Sequence, residues 1–197
     1  MTGEMNTKPN FEPDLKLQKM KRTILICGLI GGLISVGWFV VSDQILSINM
    51  SVNTRVYFGY ATMILGLSVI FVAIKNYRDN YSNGVITFGR AFRIGLLITL
   101  IASTVYVVVW LIDFTWFIPD YFDKYKSHML ADMKAHGDTA AAIKKKMTEI
   151  NNGLEMYKNP LFNALFTYME IVPVGLVISV IAALILKKRR PVEATAI

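Results

Sequence analysis

The sequence predicts an all-α integral membrane protein, a four-helix bundle with an external amphipathic helical hairpin between the third and fourth spans. The 197-residue chain is 54% hydrophobic and only 18% charged, whereas about a quarter of the residues in a soluble domain are charged. Its apolar residues are pooled in four runs, each close to the roughly 20 residues that cross the hydrocarbon layer. The runs are 23–42, 56–74, 94–112 and 161–186.

The chain has a net charge of +7. Its Lys and Arg residues lie in alternate connections between the apolar runs and do not form one patch that could bind nucleic acid. The predicted N-terminal tail (residues 1–22), the 75–93 connection and the end after residue 186 are basic. The 43–55 connection has a single Arg, and the 113–160 segment balances seven Lys with seven Asp or Glu. Because cytoplasmic segments carry an excess of Lys and Arg, this alternation predicts cytoplasmic termini. The expected partners are the lipid bilayer and a second copy or another membrane protein, with no nucleic acid.

A single membrane domain is expected from residue 23 to 190, followed by a C-terminal tail at 191–197. Within its 113–160 segment, apolar residues recur twice at intervals of three and four, the spacing of an amphipathic helix. Gly137 is a C-cap candidate between these two stripes, and Asp138 or Thr139 is an N-cap candidate. Two helices joined near Gly137 are therefore predicted, lying on the outer ends of the spans or on the lipid surface. The stripes are Ile118, Phe122, Tyr125, Met129 and Met133, then Ile143, Met147, Ile150, Leu154 and Tyr157.

Enzymatic motifs are absent, so the chain is not expected to be an enzyme, and neither a catalytic residue nor a cofactor is expected. The sequence contains no H-E-x-x-H, no G-x-S-x-G and no phosphate-binding glycine loop. His128 and His136 flank Met129 and Met133, and such soft ligands suit copper(I). Because both methionines already belong to an apolar stripe, packing is favoured, and no metal site is expected.

Small residues within the spans predict close packing between helices. Gly28 and Gly32 have the G-x-x-x-G spacing that lets two membrane helices approach, and Gly66 lies at a similar depth in the second span. Arg90 and Arg93 fall in the first turns of the third helix. Their long side chains are expected to reach the lipid headgroups, with a phosphate ligand as the alternative.

Glu170 is the candidate functional residue, because a carboxyl group within an apolar span is costly. It lies about 13 Å into the fourth span by helix rise. Pro173 follows it and leaves the carbonyl oxygen of Met169 without its helical donor. We expect the carboxyl group to face the interior of the bundle, within reach of hydrogen-bonding side chains on the other spans. The expected partners are Ser103, Tyr106 and Tyr60.

Two interpretations of Glu170 remain open at this point. A protonated carboxyl group can join helices by donating a hydrogen bond. A carboxyl group beside a free carbonyl oxygen can also hold a proton or a cation. The first interpretation predicts a structural, accessory or interaction role, and the second predicts a small proton- or cation-coupled transporter subunit that uses Glu170.

Three stretches resemble one family of bacterial membrane proteins, the domain of unknown function 4199. They are "FGRAF" at 88–92, "YKNP" at 157–160 and "EIVPVG" at 170–175, within a resemblance that covers about residues 20 to 190. The resemblance implies a four-span protein of the bacterial inner membrane. It implies no catalytic residue.

Overall fold

The computed structural model describes residues 11–41, 52–117 and 121–188, which are almost entirely helical. No strand occurs within these ranges, where the extended backbone pairs only at an isolated bridge between Ile86 and Lys188. The described helices are α1 (Phe11–Val41), α2 (Val52–Leu67), α3 (Val69–Tyr81), α4 (Phe88–Ile112), a π-helical turn (Asp113–Phe117), α5 (Tyr121–Ala135), α6 (Ala140–Tyr157) and α7 (Pro160–Leu186).

Four helical segments of the described chain are long and apolar enough to cross a membrane. This confirms the all-α class and the prediction of four helices that could span a membrane, and it indicates a membrane protein. The position of α5 and α6 outside the membrane remains a prediction. The predicted tail at 191–197 and the first ten residues of the predicted N-terminal tail lie outside the described residues. The four segments are Gln18–Gly37, Val56–Tyr81, Phe88–Phe117 and Pro160–Leu186.

The first helix is longer than the sequence pattern indicates. It begins at Phe11, within the stretch predicted as an N-terminal tail ending at residue 22. Pro13 lies in its first turn, where the missing backbone N–H has no helical acceptor, so the proline is compatible with this start. Hydropathy marks only the apolar part of a helix, and the polar turns of α1 precede that part.

The second span is two helices, whereas the sequence predicted a continuous run over 56–74. Ser68 separates α2 from α3, and its hydroxyl group donates to the carbonyl oxygen of Leu65 at 2.6 Å. The backbone N–H of Phe71 donates to the carbonyl oxygen of Ser68 at 3.0 Å, an i to i+3 bond. Serine side chains that bond back to the preceding turn bend helices, which explains the break.

The two helices predicted from the apolar stripes are present as α5 and α6. Gly137 lies between them with φ +78°, a left-handed conformation that glycine adopts without a steric penalty. Of the two predicted N-cap candidates, Thr139 caps α6, because its hydroxyl oxygen accepts from the N–H of Ala142 at 3.3 Å. The turn chemistry was therefore readable from the sequence.

The helix α4 packs most extensively against α7 and α1. Its contact with α1 is close at two of the predicted glycines. A Cβ atom at Gly28 would lie 2.6 Å from the Cβ of Ile101, and a Cβ at Gly32 would lie 2.7 Å from the carbonyl oxygen of Ala102. Real Cβ atoms do not approach so closely, so only glycine permits this separation of the two backbones.

The contact between α1 and α2 depends on Gly66 in the same way. A Cβ atom there would overlap the carbonyl oxygen of Gly31 and the hydroxyl group of Ser35. Ser35 is fully buried, and its hydroxyl group donates to the Gly31 carbonyl oxygen at 2.7 Å. The polar atom at this contact is therefore satisfied within α1.

One end of the structure gathers the starts of α1 and α4 with the ends of α3 and α7. Ile86 and Lys188 exchange two backbone hydrogen bonds of 2.9 Å, which join the end of α7 to the turn before α4. We call this the basic end, because Asp79 is its only acid among the described side chains. Its cations are Lys19, Lys21, Arg22, Lys75, Arg78, Arg90, Arg93, Lys187 and Lys188.

We expect Gly32→Ala to lower the free energy of unfolding by about 1–3 kcal/mol, as overpacking in a close contact does. The added methyl group meets a backbone carbonyl oxygen of α4, which cannot rotate away as a flexible side chain would. Gly37→Ala in the same helix is the control, since no atom lies within 4 Å of the Cβ it would add. Thermal unfolding in detergent measures both variants. Equal stability of the two would contradict the role of the close contact.

Candidate functional site

Glu170 lies on the exposed side of α7. The buried side of this helix includes Asn163, Thr167, Ile171 and Gly175, spaced four residues apart. Glu170 directly precedes Ile171 and is therefore turned about 100° from Ile171 around the helix axis, which leaves it at the edge of the buried side, where it is exposed. The prediction that its carboxyl group faces the interior is wrong, because the small residues that pack against α4 determine the rotation of α7.

The predicted partners of Glu170 are separated from it. Ser103 and Tyr106 are buried in α4, whereas Tyr60 is 40% exposed on α2. No hydrogen bond among the described residues joins any of them to Glu170, and the Ser103 hydroxyl group is buried without such a bond in the described chain. Pro173 is exposed within α7, on the same side as Glu170.

The end of α6 lies close to this exposed side of α7. The Tyr157 ring stacks on Phe166, one turn before Glu170, with 5.2 Å between the ring centroids. Burial raises the pKa of the Tyr157 phenol. The end of α6 therefore packs on the turn of α7 that precedes Glu170.

A row of buried polar side chains, which we call the polar seam, joins α4 to α7. The indole N–H of Trp110 donates to the side-chain oxygen of Asn163 at 3.0 Å. The Thr167 hydroxyl group donates to the backbone oxygen of Asn163 at 2.8 Å. Further along, the hydroxyl groups of Thr99 and Ser179 lie 3.2 Å apart in a hydrogen bond. The seam thus joins α4 and α7 by hydrogen bonds, the structural task that one of the two interpretations gave to Glu170.

Glycines let the two helices of the seam come together. A Cβ atom at Gly95 would lie 2.7 Å from the hydroxyl oxygen of Ser179, and a Cβ at Gly175 would overlap the side chain of Thr99. Each glycine of one helix therefore faces a small hydroxyl residue of the other. This spacing brings the hydroxyl groups within bonding distance of each other.

The start of α7 explains how Asn163 reaches its position. Asn159 is the N-cap, and its side-chain oxygen accepts from the N–H of Leu161 at 2.9 Å. Pro160 occupies the first turn, where its fixed φ favours a helix and its missing N–H is not needed. Asn163 then lies one turn inside the helix, with its N–H donating to the Asn159 carbonyl oxygen at 3.0 Å.

Asp113 is a second polar residue that the sequence analysis did not select. It is only 5% exposed and begins the π-helical turn that follows α4. Its backbone N–H bonds to the carbonyl oxygens of Trp110 and Val109. The predicted apolar run ended at residue 112, so Asp113 was placed in the external segment and its burial was not predicted. Isolated π-helical turns are frequent at functional sites.

Metal-ligating side chains do not cluster in the described ranges, where no three His, Cys, Asp or Glu residues lie together. His136 bonds through its ring nitrogen Nδ1 to the backbone oxygen of Asp132, at 2.7 Å. The polar groups that the structure does bring together are those of the seam, which are amide, indole and hydroxyl groups. Such groups hold helices together and carry no nucleophile with an adjacent base.

Residues 26–188 match the family described as "Protein of unknown function (DUF4199)". The chain belongs to this family. The DUF4199 match covers most of the sequence and includes α2 to α7 with nearly all of the apolar part of α1, which confirms the resemblance seen in the sequence. No curated protein and no solved structure is significantly similar to the chain. DUF4199 membership assigns no activity, so the function must be argued from the residues.

A double-mutant cycle of Asn163→Ala and Trp110→Phe should give a coupling energy of about 0.6–1.7 kcal/mol, the range of hydrogen bonds between membrane helices. Each single variant leaves a buried polar group without its partner, whereas the double variant removes both groups. Reversible unfolding in mixed micelles measures the four free energies.

The matched control is the exposed bond from the Tyr168 hydroxyl group to the Thr104 hydroxyl oxygen, 3.0 Å long. A cycle of Tyr168→Phe and Thr104→Val should give a smaller coupling, because these groups are not buried. If the buried pair couples no more strongly than the exposed pair, the seam does not stabilise the contact between α4 and α7.

Proposed function

We propose that this protein is an accessory or structural protein of the bacterial inner membrane, and that two copies associate through the face of α7 that carries Glu170. One observation supports this most directly. Glu170 lies well inside a membrane span, on its exposed side, and forms no hydrogen bond to a described residue. A carboxyl group facing lipid alone costs several kcal/mol, so association with a second helix would remove this cost.

A second copy is the partner that fits this face best. A protonated carboxyl group carries one O–H donor and one free acceptor, so two such groups satisfy each other. A two-fold interface brings the same surface of both subunits together, which places Glu170 opposite Glu170. The neighbouring side chains are apolar and available for packing, since Met169 is 70% exposed and Val177 is 59% exposed.

The proposed topology is a four-helix bundle with the basic end and both termini in the cytoplasm, and with α5 and α6 on the other side of the membrane. The excess of Lys and Arg at the basic end supports this orientation. Met156 is the only large apolar side chain of α5 and α6 that is exposed among those described, which suits a position at the membrane surface.

A reporter enzyme that is active only in the periplasm tests the orientation. Fused after residue 137, it should be active, and fused after residue 197, it should be silent. The expected ratio of activities exceeds tenfold, and equal expression of the fusions is checked by immunoblot. The reverse pattern would overturn the proposed orientation.

Disulfide cross-linking tests association through α7. In a background where Cys27, the only cysteine, is changed to Ser, Val177→Cys should form a cross-linked dimer in isolated membranes. Val72→Cys is the control, because Val72 is 64% exposed but lies on α3. Adding Glu170→Leu should reduce the cross-linked fraction at position 177 about fivefold or more, whereas Glu170→Gln retains hydrogen bonding and should preserve most of it.

The stability of each monomer provides the second measurement. Glu170→Leu should unfold at the same or a higher temperature in dilute micelles, because it removes a polar group from a lipid-facing position.

Single-molecule counting of a labelled protein in vesicles should show two copies for the wild type. A count of one copy, together with no cross-link at position 177, would exclude association through this face.

A small proton- or cation-coupled transporter subunit is the second candidate. It is favoured by the position of Pro173, which frees the carbonyl oxygen of Met169 next to Glu170 on the exposed side. The interface of two associated copies would contain four such groups, two Glu170 carboxyl groups and two Met169 carbonyl oxygens. For this candidate, Glu170→Gln should leave the dimer intact and abolish proton or cation flux in vesicles. Flux unchanged by Glu170→Gln would reject the transporter.

A further inference from the structure

A shallow groove opens between α1, α3 and α4 at the basic end. It is open along one side and encloses little space of its own. The amide of Asn76 is the most polar group on a wall that is otherwise apolar or aromatic. The rest of the lining includes Met20 and Thr23 of α1, Ala73, Tyr77 and Tyr81 of α3, and Ile94 of α4.

Two cations lie one helical turn from residues that line the groove. The Arg90 guanidinium lies 5.9 Å from the centroid of the Tyr77 ring, over one wall. Arg90 is one turn before Ile94, which lines the groove. Lys19 is one turn before Thr23 of α1, and the Thr23 hydroxyl group donates to the backbone oxygen of Lys19 at 3.1 Å. Both cations are exposed, and neither pairs with a carboxylate of the described chain.

Arg78 differs from these two cations because it is already engaged. Its guanidinium pairs with Asp79 at 2.7 Å and reaches the carbonyl oxygen of Leu186 at 3.5 Å. Asp79 is thus paired with Arg78, and no carboxylate among the described side chains pairs with Arg90 or Lys19. Their positive charge is available to an anionic ligand.

The depth of the groove indicates the kind of molecule that carries this anion. Ile94 begins the apolar part of α4, so the groove lies where hydrocarbon meets the headgroup layer. Tyr77 and Tyr81 stack with their ring centroids 6.1 Å apart, at the level where tyrosine is enriched in membrane proteins. Basic pockets between membrane helices bind the headgroups of anionic lipids.

We propose that this groove binds one anionic phospholipid, with an acyl chain lying along the apolar wall and the phosphate between Arg90 and Lys19. A soluble phosphate compound would contact the two cations but would leave the apolar wall unused. The proposal does not depend on association through α7, since the groove and Glu170 lie on different helices and at different depths.

Native mass spectrometry of the full chain in detergent tests the proposal, with phosphatidylglycerol and phosphatidylcholine of the same acyl chains as probes. The wild type should retain phosphatidylglycerol in preference to phosphatidylcholine. Lys19→Gln with Arg90→Gln should weaken phosphatidylglycerol binding about tenfold or more, the effect of removing two cations near a lipid phosphate. Binding of phosphatidylcholine should not change.

The pair Lys187→Gln with Lys188→Gln is the matched control. It removes the same charge from the basic end, but it lies at the end of α7, a helix that contributes no residue to the groove, so the effect should stay below twofold. Arg90→Lys preserves the charge and should retain binding within about threefold. Thermal unfolding of every variant shows that the fold persists.

Thr23→Phe tests the apolar wall, because it fills the groove while leaving both cations in place. It should weaken phosphatidylglycerol binding by a factor similar to that of the double charge variant. Glycerol phosphate, the soluble headgroup, should not compete. Competition by glycerol phosphate would identify a site for free phosphate, and equal weakening by the control pair would identify general attraction to the basic end. Either result overturns the proposal.

Discussion

The close contact of α4 with α1 and α7 is the constraint on which the rest of the structure depends. Lipid tails are as apolar as leucine, so membrane helices gain little from apolar burial alone and associate through close packing and hydrogen bonds. Gly32 lets the backbone of α1 approach α4, and Gly175 lets the backbone of α7 approach α4. The same approach brings Thr99 to Ser179 and Trp110 to Asn163. Small residues and polar residues therefore act together at this contact.

This contact also determines which side chains face outward. Once Thr167, Ile171 and Gly175 are turned toward α4, the rotation of 100° per residue places Pro173 on the outer side and Glu170 at the edge of the buried side, where both are exposed. The carboxyl group lies outside as a consequence of packing elsewhere on the same helix. Its exposed position is the reason for which we propose a role in association with a second helix.

The sequence predicted much of the fold and little of the site, for a physical reason. Length and hydropathy identify four apolar runs because crossing a membrane requires a long apolar run, and the cap at Thr139 follows from local hydrogen bonding. The rotation of each span about its own axis could not be predicted in this way. A helix that is apolar on every side has no apolar stripe that would show which side is buried. Ser103 was predicted as a partner of Glu170 because both residues lie at a similar depth along their spans. In the structure, the rotation of α7 turns Glu170 to the exposed side, whereas Ser103 is buried. Asp113 and the break at Ser68 depend on local backbone geometry that hydropathy does not record.

The pair of backbone hydrogen bonds between Ile86 and Lys188 has a mechanical consequence. Force applied at the carboxyl end of the chain is shared with the turn before α4 and does not act on the last turn of α7 alone. Because α4 in turn packs against α1 and α7, such a load spreads into the centre of the structure. A polypeptide attached beyond Lys188 is therefore anchored to two helices, which ties its attachment point to the rigid part of the protein.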